Sequence, residues 1–238
     1  MRPDFSRRSD WTELMDADDT DYETFRACLV DLAKVNVVTL AHAPTLAFLD
    51  QLHRTGRLPT DRPVRILDVG SGYGDLLRTI DRWAQRRGVA VDLTGVDLNP
   101  WSAKAARDAT PPGRPIQWAT SNIFDHHDGA DLVVSSLFTH HLTDAQLVDF
   151  LRWSEASTRI GWFVNDLHRH PFPYYGFGLL ARVARWHPFV QHDGPVSIAR
   201  AFQAEDWRAL LVTAGIAPKA AKVQWRFPFR LCISRTKG

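Results

Sequence analysis

Cysteine is scarce in this chain: two among 238 residues, Cys28 and Cys232, far apart and outside any Cys-x-x-Cys pattern. That spacing excludes a disulfide framework and a thiolate zinc site, and both thiols are expected in the core of a protein kept reduced. Long apolar runs are missing as well. No stretch approaches the roughly 18 residues a membrane span needs, and Met1 to Arg8 lack the apolar segment of a signal peptide. A cytoplasmic protein without integral membrane association is the expectation. Blocks of one charge sign are also absent, with 29 Lys and Arg interspersed among 27 Asp and Glu for a net charge of +2. That balance argues against a nucleic-acid partner. There are no internal repeats and no low-complexity tracts.

What remains is a globular composition, 45% hydrophobic and 24% charged, long enough for one large α/β domain with an appendage. The central stretch is Val64-Arg65-Ile66-Leu67-Asp68-Val69-Gly70-Ser71-Gly72-Tyr73-Gly74-Asp75. A Val/Ile/Leu run reads as a buried parallel strand, a glycine-rich turn follows, and a helical pattern from about Tyr73 to Arg87 ends at Gly88. Gly70 and Gly72 give access to backbone angles closed to other residues and let a ligand approach the main chain.

The flanking chain repeats the alternation. Trp11 to about Arg54 reads as helical, with Asp21 as one cap and Pro44 in the first turn of a second helix, so residues 1–60 form an N-terminal helical cap. Residues 61–238 form the ligand-binding domain. Further strands are expected at Val89–Asp97, Ile116–Ala119, Asp131–Ser136 and Arg159–Asp166, then Lys219–Phe227 and Phe229–Arg235. Helices are expected after Pro100, over Ala145–Ser157 behind a Thr143 or Asp144 cap, and over Asp206–Ala214. Residues 171–200 form an insertion whose first part, Pro171–Phe189, is unusually aromatic. Strands alternating with helices imply a mostly parallel sheet covered on both faces.

The glycine turn lacks the Gly-Lys-Ser/Thr ending of a phosphate-binding P-loop, because Asp75 follows Gly74. It also departs from the GxGxxG dinucleotide fingerprint, and an acid, Asp68, precedes it. An acid there disfavours a pyrophosphate and suits an ammonium or sulfonium group. Asp97 ends the second strand 23 residues beyond Gly74, where a carboxylate accepts both hydroxyls of a ribose. Alone it reads equally well as a strand-end charge.

Taken together, Asp68-Val69-Gly70-Ser71-Gly72-Tyr73-Gly74 and Asp97 resemble a class I S-adenosylmethionine-dependent methyltransferase. Ser121-Asn122-Ile123-Phe124 and Asp131–Ser136 with Leu137-Phe138-Thr139-His140-His141-Leu142 extend the resemblance over about residues 60–235. It implies a Rossmann-like, seven-stranded sheet with an antiparallel last strand and S-adenosylmethionine as cofactor. Carried over, Gly70, Ser71, Gly72 and Gly74 form the turn against the methionine moiety and Asp68 faces its ammonium. Asp97 holds the ribose, Leu98 and Ile123 pack on the adenine, Asn122 takes the place of the family's usual Asp, and Ser135 lies at the strand-end rim near the methyl group. More loosely, Glu13-Leu14-Met15-Asp16, the Asn165–Arg169 loop and Phe227-Pro228-Phe229-Arg230 look similar to bacterial methyltransferases associated with type III polyketide synthases. That implies a phenolic, quinone-like or polyketide acceptor.

Methyl transfer to a hydroxyl needs alignment, exclusion of water and a proton acceptor. The candidates are His140 and His141 after the fourth strand, and Asp166 and His168 after the fifth, with Asp166 near enough in sequence to orient His168. His141 reads equally well as a structural residue in a turn. No metal is expected, since no second acid matches Asp166 at the end of the fourth strand. The aromatic insertion and the N-terminal helices around Trp11, Met15, Phe25 and Val35 are expected either to roof an apolar acceptor pocket or to bury one another. The resulting expectation is O-methylation of a small apolar acceptor by a monomer or homodimer. The alternatives are C- or N-methylation, or a fold that binds the cofactor without transfer.

Overall fold

The computed structural model describes residues 3–16, 21–126 and 129–238. The Val/Ile/Leu runs form β1 (Val64–Val69), β2 (Val91–Asp97), β3 (Ile116–Thr120), β4 (Ala130–Ser136) and β5 (Thr158–Leu167), and the tail adds β6 (Ala221–Arg226) and β7 (Arg230–Thr236). They make one sheet in the order β3-β2-β1-β4-β5-β7-β6. Strands β1 to β5 pair in parallel, while β7 runs antiparallel to both β5 and β6. Successive strands step outward from β1 in opposite directions, and the crevice where they part opens at the carboxyl ends.

The helices are α1 (Tyr22–Val38), α2 (Ala43–Arg54), α3 (Asp75–Arg87), α4 (Pro100–Asp108), α5 (Asp144–Ser157), α6 (Pro171–Val183), α7 (Pro188–Arg200) and α8 (Ala204–Thr213). Their starts follow the capping chemistry of the sequence: Asp21, Asn99 and Thr143 each accept from a first-turn amide, and prolines open α2, α4, α6 and α7. Because side chains alternate along a strand, neighbours such as Val133 and Val134 or Trp162 and Phe163 serve opposite cores. One core holds Val133, Trp162, Ile233, Phe150 of α5 and Trp207 of α8; the other holds Val134, Phe163, Leu93, Leu77 of α3 and Leu49 of α2. Each such side chain withdrawn from water contributes about 1.5–3 kcal/mol.

Several boundaries differ from the sequence expectation. Helix α3 begins at Asp75, because Gly74 is left-handed (φ 74°) and cannot continue a helix back to Tyr73. The Trp11–Arg54 stretch is not continuously helical: a short 3-10 turn spans Leu14–Asp16, α1 and α2 follow, and residues 17–20 lie outside the described residues. The segment before α1 is a strap. Ser9 N donates to Ala199 O (3.0 Å), and the Asp193 carboxylate on α7 accepts the amides of Leu14 (2.8 Å) and Met15 (3.0 Å). The insertion is the helix pair α6 and α7, packed so closely that a Cβ on Gly194 would fall 1.9 Å from the Phe177 ring. Among the described residues no single helix is long and apolar enough to cross a membrane.

Helix α2 belongs to the same core as β1. Phe48 stacks on Phe163 of β5 with centroids 4.8 Å apart and planes 16° apart. Phe48→Ala is expected to lower unfolding free energy by about 3–5 kcal/mol in urea titration. A loss below 1 kcal/mol would show instead that α2 folds apart from the sheet.

Candidate active site

The turn after β1 uses its three glycines for three purposes. All have positive φ, at 70°, 49° and 74° for Gly70, Gly72 and Gly74. A Cβ on Gly70 would sit 2.4 Å from the Phe138 ring and one on Gly74 would sit 2.2 Å from Trp118, so both positions are closed by the protein's own aromatics. Gly72 faces open space, with nothing within 4 Å of a built Cβ. The room for a ligand is therefore at Gly72. Asp97 at the end of β2 braces this turn, accepting the amides of Gly72 and Asn99, each at 2.9 Å. Burial raises its pKa, which these amide hydrogen bonds partly offset.

Asp68 lies in the crevice wall, 2% exposed, and no described group donates a hydrogen bond to its carboxylate. Burial, together with the negative charges of Asp75 and Asp97, raises its pKa well above the carboxylate range. An anion buried without a partner is costly. A cationic group seated above Gly72 would remove that cost, so this end of the crevice fits a ligand carrying an ammonium. Asp75 is satisfied separately: burial pushes its carboxyl up, but His42 Nε2 and Asn36 Nδ2, both 2.9 Å from Oδ2, hold it low.

Leu98, 71% exposed, follows Asp97 at the crevice rim. Asn122 follows β3 and accepts from Phe124 N (3.1 Å), while Ile123 packs on the core. Ser135 is displaced from its expected role. Its hydroxyl is buried and donates to Val69 O (3.0 Å), tying β4 to β1, and the neighbouring Ser136 lines the crevice instead.

From the turn, a cavity of about 630 Å³ extends under α1, α6 and the β6–β7 hairpin. Met15, Leu32 and Val35 from the N-terminal side and Phe172, Phe177 and Leu180 from α6 form its apolar roof. Trp11 and Phe25 do not line it. Phe25 packs against Trp101 instead, with ring centroids 5.8 Å apart.

The histidine chemistry falls where β4 and β5 end side by side. Asp166 is fully buried and turns toward the 3-10 turn Thr139–His141. Its Oδ1 pairs with His140 Nδ1 (2.7 Å) and with Leu167 N (2.7 Å), and its Oδ2 accepts from His140 N (2.9 Å) and the Thr139 hydroxyl. Burial alone would raise the Asp166 pKa; His140, Thr139 and Leu167 outweigh it and hold it at about 2. A carboxylate only accepts, so His140 Nδ1 carries the proton and, in the neutral ring, Nε2 keeps its lone pair. His140 lines the cavity.

This corrects the sequence assignment. Asp166 orients His140 across two adjacent strands, whereas His168 lies outside the cavity wall and its Nδ1 has no hydrogen-bond partner. Burial, then His170 and Arg169, lower the His168 pKa. Residues two apart on a strand share a face but stand nearly 7 Å apart, so nearness in sequence misled. His141 is at the cavity, near Glu13.

Glu13, brought by the strap, went unrecognised from sequence as a cavity residue. Its Oε1 accepts from the Ser197 hydroxyl (2.8 Å), with Arg200 Nη1 at 3.7 Å and His140 Nε2 at 3.8 Å, and its Oε2 lies 3.8 Å from His141 Nε2. Glu13, His140 and His141 thus place three potential metal-ligand atoms within 4.8 Å of one another, a grouping the expectation of no metal did not include. The Arg200 guanidinium already supplies positive charge to this carboxylate.

Residues 66–161 match the model of a family described as a methyltransferase domain. Among solved structures, the chain is similar to the plantazolicin methyltransferase in complex with SAH, at 12% identity and TM-score 0.63 over 90% of this chain and 96% of that one. A protein from Nostoc punctiforme PCC 73102, described as a candidate O-methyltransferase, is 17% identical with TM-score 0.58 over 88% of this chain. The citrinin polyketide synthase CMeT domain is 20% identical with TM-score 0.59 over 82%. The chain spans 60% and 52% of the length of these last two. No curated protein matches the sequence. By sheet topology and strand-end turn the fold is the Rossmann-like one of class I S-adenosylmethionine-dependent methyltransferases, and residues 66–161 within it match a methyltransferase domain.

Two outcomes test the site. Asp68→Asn is expected to weaken S-adenosylhomocysteine binding in calorimetry by roughly 10–100-fold, the range for a hydrogen bond to a charged group, without lowering the ligand-free melting temperature. Undiminished affinity would contradict the assignment. The folded pKa of Asp166 lies below its unfolded value of about 3.9, so its contribution to stability is present above that value and lost as pH falls toward 2. The stability difference between wild type and Asp166→Asn should shrink across that window in acid titrations. A difference that stays constant down to pH 2.5 would contradict it.

Proposed function

We propose that the enzyme transfers the methyl group to an oxygen of a small, mostly apolar acceptor of phenolic or polyketide-like character, with His140 removing the proton. The observation that carries this reading is the His140–Asp166 pair, with His140 in the wall of a cavity that has an apolar roof and is continuous with the glycine turn. Bound at Gly72, with Asp68 on its ammonium and Asp97 on its ribose, S-adenosylmethionine supplies an electrophilic methyl on a sulfonium.

The chain's own residues do the rest. The roof of α1 and α6 excludes water and aligns the acceptor for in-line attack. Nε2 of His140 takes the hydroxyl proton as the new oxygen–carbon bond forms and the sulfur–carbon bond breaks. Asp166 keeps the ring in the tautomer that leaves Nε2 able to accept. The same pair would deprotonate an enol, so C-methylation of a polyketide uses these residues too. The likeness to a polyketide synthase methylating domain supports an acceptor of that class.

The test is transfer of labelled methyl from S-adenosylmethionine to a panel of phenols and enolic polyketides, with the methylated atom read by NMR. Wild type should methylate oxygen, and His140→Gln should lower kcat by roughly 10²–10⁴-fold, the usual worth of a general base. Cofactor affinity should stay within a few-fold. Full activity in His140→Gln, or no transfer to any acceptor by wild type that binds the cofactor, would overturn this reading.

A further inference from the structure

One cation in the cavity wall has no counterion. Arg230 opens β7, opposite Leu167 on β5 and Arg226 on β6. It is 3% exposed, and it is the only Lys or Arg among the described residues lining the cavity. A single hydrogen bond engages it, from Nη2 to the Thr39 hydroxyl (3.0 Å). Its Nε and Nη1, which carry three of its five N–H donors, have no partner among the described residues. It makes no ion pair among the described residues. The carboxylate nearest in its field, Asp166, is already committed to His140, Thr139 and Leu167. Such isolation is expensive, since a buried charge normally survives only when paired and hydrogen-bonded. Burial correspondingly lowers its pKa to about 10.

Placement separates this cation from the cofactor. The glycine turn ends β1, and β7 lies three strands away across β4 and β5. At about 4.8 Å per strand, that is roughly 14 Å. The two ends of the cavity therefore differ in what they lack: the buried carboxyl of Asp68 beside the turn has no cation to stabilise its ionised form, and the cation of Arg230 beyond His140 has no counterion among the described residues.

We propose that Arg230 is the anion-binding residue of the acceptor site, and that the acceptor is an acid whose carboxylate it receives while its hydroxyl faces His140. This rests on the reading of the cavity as the acceptor site and narrows it from a neutral phenol to a hydroxy acid with an apolar body. The carboxylate restores the missing counterion. The planar guanidinium donates several hydrogen bonds to it, and the apolar roof covers the remaining carbon skeleton.

Calorimetry with 2,4-dihydroxy-6-pentylbenzoate and its neutral carboxamide, each titrated into the enzyme saturated with S-adenosylhomocysteine, tests this directly. Wild type is expected to bind the acid roughly 10–100-fold more tightly than the amide, the range for charge-assisted hydrogen bonds. Arg230→Met should abolish that preference and Arg230→Lys should retain part of it. Because Met removes an uncompensated charge while filling similar space, the melting temperature of ligand-free Arg230→Met should not fall. Equal affinity for the two probes, no binding of the acid, or a preference that survives in Arg230→Met would overturn the proposal. So would loss of S-adenosylhomocysteine binding in Arg230→Met, which would assign the cation to the cofactor. Failure of wild type to bind S-adenosylhomocysteine would instead remove the methyltransferase reading beneath it.

Discussion

The carboxylate of Asp166 is buried at the end of β5 and accepts from His140 Nδ1, two main-chain amides and a hydroxyl. Together with Leu137 N donating to Asn165 O (2.9 Å) and Asn165 Nδ2 donating to Ser136 Oγ (3.0 Å), it ties the ends of β4 and β5. Two parallel strands leave their carboxyl ends level with each other, and the loops beyond them would diverge without a tie. Asp166 folds the β4 loop back as a 3-10 turn and holds one imidazole with its outer nitrogen toward the cavity. The strap then packs against that turn: Arg8 donates to His140 O (3.1 Å) and Leu142 O (2.8 Å), and Glu13 meets both histidines. The turn in the cavity wall and the orientation of His140 depend on this one satisfied carboxylate, while Asp193 of α7 captures the strap that packs on them.

The cavity is ordered by charge along its length. At the turn after β1 the buried carboxyl of Asp68 stands in the wall, near the one glycine of the turn, Gly72, that leaves room. His140 stands in the middle, and Arg230 at the far end. The surfaces between are apolar, contributed by α1 and α6. Along this axis stand a carboxyl, a basic imidazole and a guanidinium in order, the arrangement that a cationic donor and the proposed acidic acceptor, laid head to head, would match.

Much of this could be read in the chain itself. The strand pattern and the glycine turn locate β1 and the crevice, because a buried parallel strand leaves a continuous Val/Ile/Leu run and a positive-φ turn demands glycine. Asp21, Asn99, Thr143 and Gly88 mark helix ends for equally local reasons. The polar constellation was not legible, since it is assembled from distant segments. Asp166 serves His140, 26 residues away, and Glu13 reaches the site only because α7 captures the strap at Asp193. Sequence distance also hid the work of Gly70 and Gly74, whose missing side chains admit Phe138 and Trp118 rather than a ligand. Arg230 did leave a trace: one charge set in the otherwise apolar run Phe229-Arg230-Leu231-Cys232-Ile233.

The central claim is that the methyl donor's sulfur faces the cavity that contains His140. A crystal structure of the chain with S-adenosylhomocysteine measures this directly. The account predicts the homocysteine ammonium against Asp68, the ribose hydroxyls on Asp97, and the sulfur opening toward His140 Nε2 across the apolar space beneath α6. A sulfur turned away from that space, or a homocysteine moiety paired with Arg230 in place of Asp68, would contradict it.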